Sequence, residues 1–251
     1  MGPVPILPRN LHRLTRAGKW VFRRCEAYLF TELCIVCDRV RETGNSWFCK
    51  ECHDALRENS TSRDACFRCG LNPSIRTCTC TAAWDFPFDR IYSIFDYDDR
   101  VKELVRNIKY HGKKTLARDL VRYSSHIDEV RSTFDTIVAV PLHWTRYRSR
   151  GYNQAEWFAR GIASAAQIDL LPSALYRSRS TGTQTKLDRA ERQKNMKNAF
   201  GVKACCASLV QGKRILLTDD VITTGATAGA CADALLEAGC VSVSVMSIAR
   251  D

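Results

Sequence analysis

No stretch of the 251-residue sequence approaches 18 consecutive apolar residues, so no transmembrane helix is expected. The opening MGPVPILPRN has no charged segment leading into an apolar one, so no secretory signal is expected either. There is no low-complexity tract, and no internal repeat beyond a set of paired cysteines. Apolar residues at 45% and charged residues at 26% are ordinary globular values, which excludes wholesale disorder, collagen and coiled coil. Without an export signal, the 13 cysteines do not read as a disulfide framework. A cytoplasmic protein is the expectation. Negative charge is in short supply: 38 Lys and Arg stand against 27 Asp and Glu, a net +11. That excess suggests an anionic partner such as nucleic acid, phosphates or an acidic membrane surface, and carries no information about fold.

The cysteines that are present are unevenly placed. Eight fall between Cys34 and Cys80, and none between Cys80 and Cys205. They come as close pairs: Cys34/Cys37, Cys49/Cys52, Cys66/Cys69 and Cys78/Cys80. A tight CxxC turn aims two thiolates at one tetrahedral metal, so four pairs supply ligands for one or two structural zinc ions. Sequential sharing would give two ribbons and interleaved sharing a cross-braced module; spacing alone leaves both open. Cys25, Cys205, Cys206, Cys231 and Cys240 have no partner pattern and read as small packing residues.

Residues 1–30 carry apolar side chains at roughly helical spacing with Arg13, Arg16, Lys19, Arg23 and Arg24 between them, a basic amphipathic helix. It could touch an anionic membrane surface or DNA, or dock its apolar face on the rest of the protein. Residues 31–83 form the cysteine module, too small for a large core, so metal would supply much of its folding energy. WDFPFDR (84–90) reads as the hinge into a third segment, 84–251. There, strand patterns at 91–95, 136–140, 214–218 and 240–249 alternate with helical patterns over 101–108, 153–168 and 226–238, the last stopped by Gly239. This rhythm predicts an α/β domain with a mostly parallel sheet.

The stretch ILLTDDVITTGAT (215–227) carries the most chemical information. At the carboxyl end of a parallel strand the chain faces the ligand crevice. Two adjacent carboxylates there, Asp219 and Asp220, can accept hydrogen bonds from the vicinal hydroxyls of a ribose. Gly225 lets backbone amides approach a phosphate, Thr223, Thr224 and Thr227 add hydroxyls, and the following helix offers its positive end. A Walker A loop is excluded, because no Gly-Lys-Ser/Thr follows a glycine at the required spacing.

This stretch resembles the phosphoribosyl pyrophosphate (PRPP) motif of type I phosphoribosyltransferases, with Thr218 where an apolar residue is usual. VPLHWTRYRSRGYNQAEWFARGIA (140–163), SRSTGTQTKLDRAERQKNMKNAF (178–200), the 215–227 motif and the final AR (249–250), in that order, resemble the ComF family of ComFC- and GntX-like competence proteins. The FDYDD…IKYHG segment (95–112) and the cysteine module fit as well, so the likeness spans about residues 31–251. It implies a double zinc ribbon preceding a type I phosphoribosyltransferase-like fold, a mostly parallel sheet with helices on both faces, and a role in handling DNA during natural transformation. On this likeness Asp219 and Asp220 would bind the ribose hydroxyls of PRPP. Thr223, Thr224, Gly225, Ala226 and Thr227 would cradle its 5-phosphate. Pro141, Leu142 and His143 would lie in the pyrophosphate loop, and Gln184, Arg189 and Arg192 in a mobile catalytic loop over 178–198. Mg²⁺ would accompany PRPP.

Residues 101–150 hold 11 basic and 5 acidic residues, whereas 204–251 hold 3 and 5. Arg106, Lys109, Tyr110, Lys113, Lys114, Arg146, Arg148 and Arg150 are the candidates for nucleic-acid contact, since cations interleaved with aromatics suit single strands. The expected partners are single-stranded DNA and PRPP, with DNA-uptake proteins and, through residues 1–30, the inner face of a membrane as further ones. Two other readings stay open: a nucleobase or nucleotide salvage phosphoribosyltransferase, and a non-catalytic PRPP-sensing DNA-binding protein.

Overall fold

A computed structural model describes residues 32–41, 47–60, 65–72, 78, 86–177 and 199–251. The basic segment 1–30, Cys80, and the stretch 178–198 with Gln184, Arg189 and Arg192 lie outside the described residues. The chain divides into two compact units, Met1–Asp54 and Ala55–Asp251. No described helix is long and apolar enough to cross a membrane.

The second unit is built on a five-stranded sheet in the order β1-β7-β6-β2-β3. Its strands are β1 (Ile91–Asp96), β2 (Thr136–Ala139), β3 (Asp169–Leu171), β6 (Arg214–Ile222) and β7 (Ser242–Arg250), and every neighbouring pair is parallel. The short strands β4 (Leu175–Arg177) and β5 (Phe200–Val202) form an antiparallel hairpin apart from it. All four expected strands form. β6 runs beyond its expected end at residue 218, because pairing with β7 continues through Asp219↔Ser247 to Ile222↔Arg250. The two acids therefore stand inside the strand, with their backbone already fixed by the sheet.

Successive side chains of a strand point to opposite faces, and β6 shows what covers each. Ile215 and Leu217 join a buried cluster with Ala228, Cys231, Ala232 and Leu235 of the helix Ala226–Glu237. On the other face the Thr218 hydroxyl donates to the Ala155 carbonyl at 3.3 Å, in the helix Gln154–Ala166. The sheet is thus sandwiched, and its central strands are apolar on both sides, as a parallel sheet requires. Small residues on Ala226–Glu237 let that helix lie close to the strands. The helix Asp99–Tyr110 follows β1; Asp98 caps it by accepting from the Val101 N–H at 2.8 Å, and Val101, Leu104, Val105 and Ile108 form its buried stripe.

Candidate functional site

Because the sheet is parallel, the carboxyl ends of β2, β6 and β7 share one edge, the edge at which such sheets bind ligands. A cavity of about 550 Å³ opens there. Asp219 and Asp220 line it together with Pro141, Leu142 and Thr227, and with Lys109, Tyr110, Arg146 and Arg150 from elements remote in sequence. Arg177, Tyr152 and Gln154 also line it; none of them was among the expected site residues, although Tyr152 and Gln154 sit in the quoted 140–163 string and Arg177 immediately precedes 178–198.

The two acids are held differently. Asp219 Oδ1 accepts from the Asp220 N–H at 2.8 Å and Asp220 Oδ1 from the Val221 N–H at 2.7 Å. Asp220 is buried and forms an ion pair with Lys109, Nζ to Oδ2 3.1 Å. Asp219 is pushed up to about 7, first by desolvation and then by the neighbouring Asp220 charge, against the pull of Lys109 and Arg177. Loss of solvent and the charge of Arg146 lower Arg177 from the ordinary guanidinium range, while Cys231 and Asp219 oppose them. Four cationic side chains, Lys109, Arg146, Arg150 and Arg177, therefore share one cavity with two carboxylates. The arrangement suits a ligand that offers hydroxyls to the acids and carries several negative charges for the cations.

Beyond β6, Thr223 and Thr224 are exposed, Gly225 takes a positive φ of 78°, and Ala226 begins the helix. The Thr224 hydroxyl accepts from the Ala226 N–H at 3.4 Å. Gly225 is needed for space as well as for φ: a Cβ there would stand 3.1 Å from the Phe86 ring. His143, expected beside Pro141 and Leu142, does not line the cavity; its ring caps the helix Trp144–Arg150, with Nδ1 2.7 Å from the Thr145 hydroxyl. Asn153 ties this region down by donating to the Val140 carbonyl at 2.9 Å.

Of the nucleic-acid candidates, Lys109, Tyr110, Arg146 and Arg150 line the cavity, and Arg150 lies 5.5 Å from the Tyr110 ring centroid. Arg106 pairs with Glu103 at 3.5 Å, Lys114 covers the Trp157 ring at 4.9 Å, and Lys113 and Arg148 are exposed away from the lining. Tyr110, Trp144 and Tyr147 are exposed to 73%, 65% and 52%, large values for aromatic rings.

The cysteines gather into two groups, each within 4.8 Å: Cys34, Cys37, Cys49 and Cys52, and Cys66, Cys69 and Cys78. Among the described cysteines, sharing is thus sequential rather than interleaved. Sγ–Sγ distances of 3.6 Å (Cys37–Cys49), 3.5 Å (Cys69–Cys78) and 3.2 Å (Cys66–Cys78) approach the roughly 3.8 Å that a tetrahedral thiolate site demands, so both groups could hold a metal ion. The CxxC turns at Cys34–Cys37 and Cys66–Cys69 share one pattern. In the first, Asp38 N–H donates to Cys34 O at 2.9 Å and Cys34 N–H to Arg39 O at 2.8 Å. In the second, Gly70 N–H donates to Cys66 O at 2.9 Å and Cys66 N–H to Leu71 O at 2.8 Å. Burial raises the Cys34 thiol, but hydrogen bonds from the backbone of Cys49, Val36 and Cys37 outweigh it and bring it to about 7. Burial, with the neighbouring thiols, pushes Cys69 up to about 11.

No family model matches the chain. Among curated proteins, a DNA utilization protein YhgH from Salmonella typhi is 31% identical over 229 residues, covering 87% of this chain and 96% of that protein. Competence protein F from Haemophilus influenzae is 28% identical, over 88% of this chain and 98% of that one. Among solved structures, the glutamine PRPP amidotransferase of B. subtilis covers 55% of this chain and 26% of its own at 24% identity, with a TM-score of 0.35. That last likeness is too distant to carry an argument.

Proposed function

The chain belongs to the ComF family, and on that footing we propose that it binds PRPP in the cavity at the end of β6 and handles single-stranded DNA on the adjoining cationic face. The observation that carries this is the Asp219–Asp220 pair near the carboxyl end of a parallel strand, in one cavity with Lys109, Arg146, Arg150 and Arg177. The acids would take the ribose hydroxyls, the 223–227 loop the 5-phosphate, and the four cations the pyrophosphate. Phosphoribosyl transfer runs through an oxocarbenium-like sugar as pyrophosphate departs, so such a site works by positioning and by stabilising the leaving charge. When bound, Mg²⁺ would neutralise pyrophosphate; Asp219 and Asp220 are the carboxylates near enough to help hold it. The metal proposed for the cysteine groups is zinc.

The names of the relatives, DNA utilization protein and competence protein F, support the DNA half of the reading. So do exposed Tyr110, Trp144 and Tyr147 beside Arg146, Arg148 and Arg150, since bases stack on aromatic rings while phosphates meet arginine.

The test is calorimetric titration of the full chain with PRPP and Mg²⁺, beside pyrophosphate release with and without single-stranded DNA. Asp219→Asn/Asp220→Asn should weaken PRPP at least about a hundredfold, on the order of two charge-assisted hydrogen bonds, and leave metal content unchanged. Affinity should also rise with pH through about 7, as Asp219 becomes ionised and able to accept from both hydroxyls, and Asp219→Asn alone should remove that step. Equal PRPP affinity in the double variant sinks the assignment. Binding without pyrophosphate release would instead favour a PRPP-sensing DNA-binding protein.

A further inference from the structure

Arg250, the last residue of β7, reaches in two directions. Its Nε donates to the Cys69 carbonyl at 3.2 Å, inside the second cysteine turn. Its Nη1 donates to the Ile222 carbonyl at 2.8 Å and to that of Thr223, where β6 passes into the 223–227 loop. The strand order makes this reach possible: β7 lies between β1 and β6, with Arg250 in register with Asp96 on one side and Ile222 on the other. Phe86, in the segment that leads into β1, also reaches this loop: its ring stacks on Phe88 at 5.1 Å and lies against Gly225 and Gly229. The turn itself is seated on β1, where Ile91 N–H donates to the Arg68 carbonyl at 3.0 Å.

We propose that Arg250 is a positioning residue through which a metal held by Cys66, Cys69 and Cys78 orders the phosphate loop. Cys69 is at once a metal ligand and the residue whose carbonyl anchors the guanidinium. With metal bound, the turn 66–70 is fixed, Arg250 has a rigid anchor, and the carbonyls of Ile222 and Thr223 are held so that the loop keeps its shape before a ligand arrives. Without metal the anchor moves, and the loop must be ordered by the ligand itself at a cost in affinity. A loop so held is a binding element whose stability is set from outside the site. The ligand part of this inference rests on the phosphate-loop reading above; the coupling does not.

The experiment follows amide hydrogen exchange of peptides covering 219–230 in the full chain, with metal content measured alongside. Four proteins are compared: the unmodified chain, Arg250→Lys, Cys78→Ser and the double variant. Lysine keeps the charge but cannot bridge carbonyls on two sides. Arg250→Lys should retain both metals and exchange the loop about tenfold faster. Cys78→Ser should lose one equivalent of metal and accelerate the same amides similarly. The double variant should be no faster than either single one, as expected when both act through one contact. Loop exchange within twofold of the unmodified chain in Arg250→Lys, or effects that multiply in the double variant, would overturn the coupling. Should Cys78→Ser fail to fold, the unmodified chain stripped of metal by a chelator takes its place, and loop exchange within twofold of the metal-bound chain would overturn the coupling. PRPP that binds none of the proteins would end the ligand reading while the exchange result still judged the coupling.

Discussion

The CxxC turns at Cys34–Cys37 and Cys66–Cys69 carry the same hydrogen bonds at nearly the same lengths, yet they close with different residues. Each turn needs its fifth residue in the left-handed region: Asp38 at φ 56° in one, Gly70 at φ 70° in the other. An aspartate tolerates that conformation at modest cost, and Asp38 is exposed. At position 70 the requirement is stricter. A Cβ there would stand 2.8 Å from the Ile91 carbonyl oxygen, a backbone atom of β1 that cannot step aside. A shared motif thus does two jobs. The first turn is shaped by its own local bonds, while the second is also shaped by the sheet it is seated on. A metal held at the second turn would therefore act on a segment seated on β1, which spacing alone does not reveal.

Gly70→Ala is the harshest way to break that contrast. It combines left-handed strain with a backbone clash, and should cost roughly 2–4 kcal/mol of stability, by the magnitudes of strain and overpacking. Thermal or denaturant unfolding of the full chain checks it. If alanine is accepted at position 70 with no loss, the second turn is as free as the first and the contrast fails.

Phe86→Ala asks which part of the second turn's surroundings holds the 223–227 loop. It removes the stack on Phe88 and uncovers Gly225 and Gly229, but touches no cysteine. A loss of about 1–2 kcal/mol is expected from truncating a half-buried aromatic, with metal content unchanged. Loop exchange should quicken less than in Arg250→Lys, because the carbonyl contacts of Arg250 remain. Faster exchange in Phe86→Ala than in Arg250→Lys would shift the weight of the link from the guanidinium to the ring.

The alternation of strands and helices was legible, because long apolar runs such as TIVAV and RILLT have few other places to go. β3, β4 and β5 were not, since strands of three residues carry too little periodicity. The Asp219–Asp220 pair could be read from its place after a buried strand. The convergence of Lys109 and Arg177 on it could not, because tertiary folding, not local sequence, brings Asp99–Tyr110 and β4 to that edge. Of the expected ligand-facing residues, His143 caps a helix end, and it is outside the cavity lining as are Thr223, Thr224, Gly225 and Ala226. Cysteine spacing pointed to groups that could hold a metal ion, but sequential and interleaved sharing look alike in one dimension and separate only through sulfur distances.

The gentlest probe of the contrast is Asp38→Gly. Glycine relieves the left-handed cost of a side chain, on the order of 1 kcal/mol, but adds freedom to the unfolded chain worth about as much. The two terms oppose, so the net effect should be small. Because folding of a small cysteine module is linked to metal binding, the readout is metal affinity in competition with a chromophoric chelator. The first site should change less than about threefold, well under the tenfold that corresponds to 1.4 kcal/mol. Asp38→Val, whose β-branch suits left-handed backbone poorly, should weaken metal binding by clearly more. If glycine and valine behave alike at position 38, the turn does not depend on left-handed geometry there. If glycine weakens binding strongly, the Asp38 side chain serves the first site in a way its exposed position does not show. A small effect of glycine and a large one of valine would leave the first turn governed by backbone conformation alone, and seating on β1 as what sets Gly70 apart.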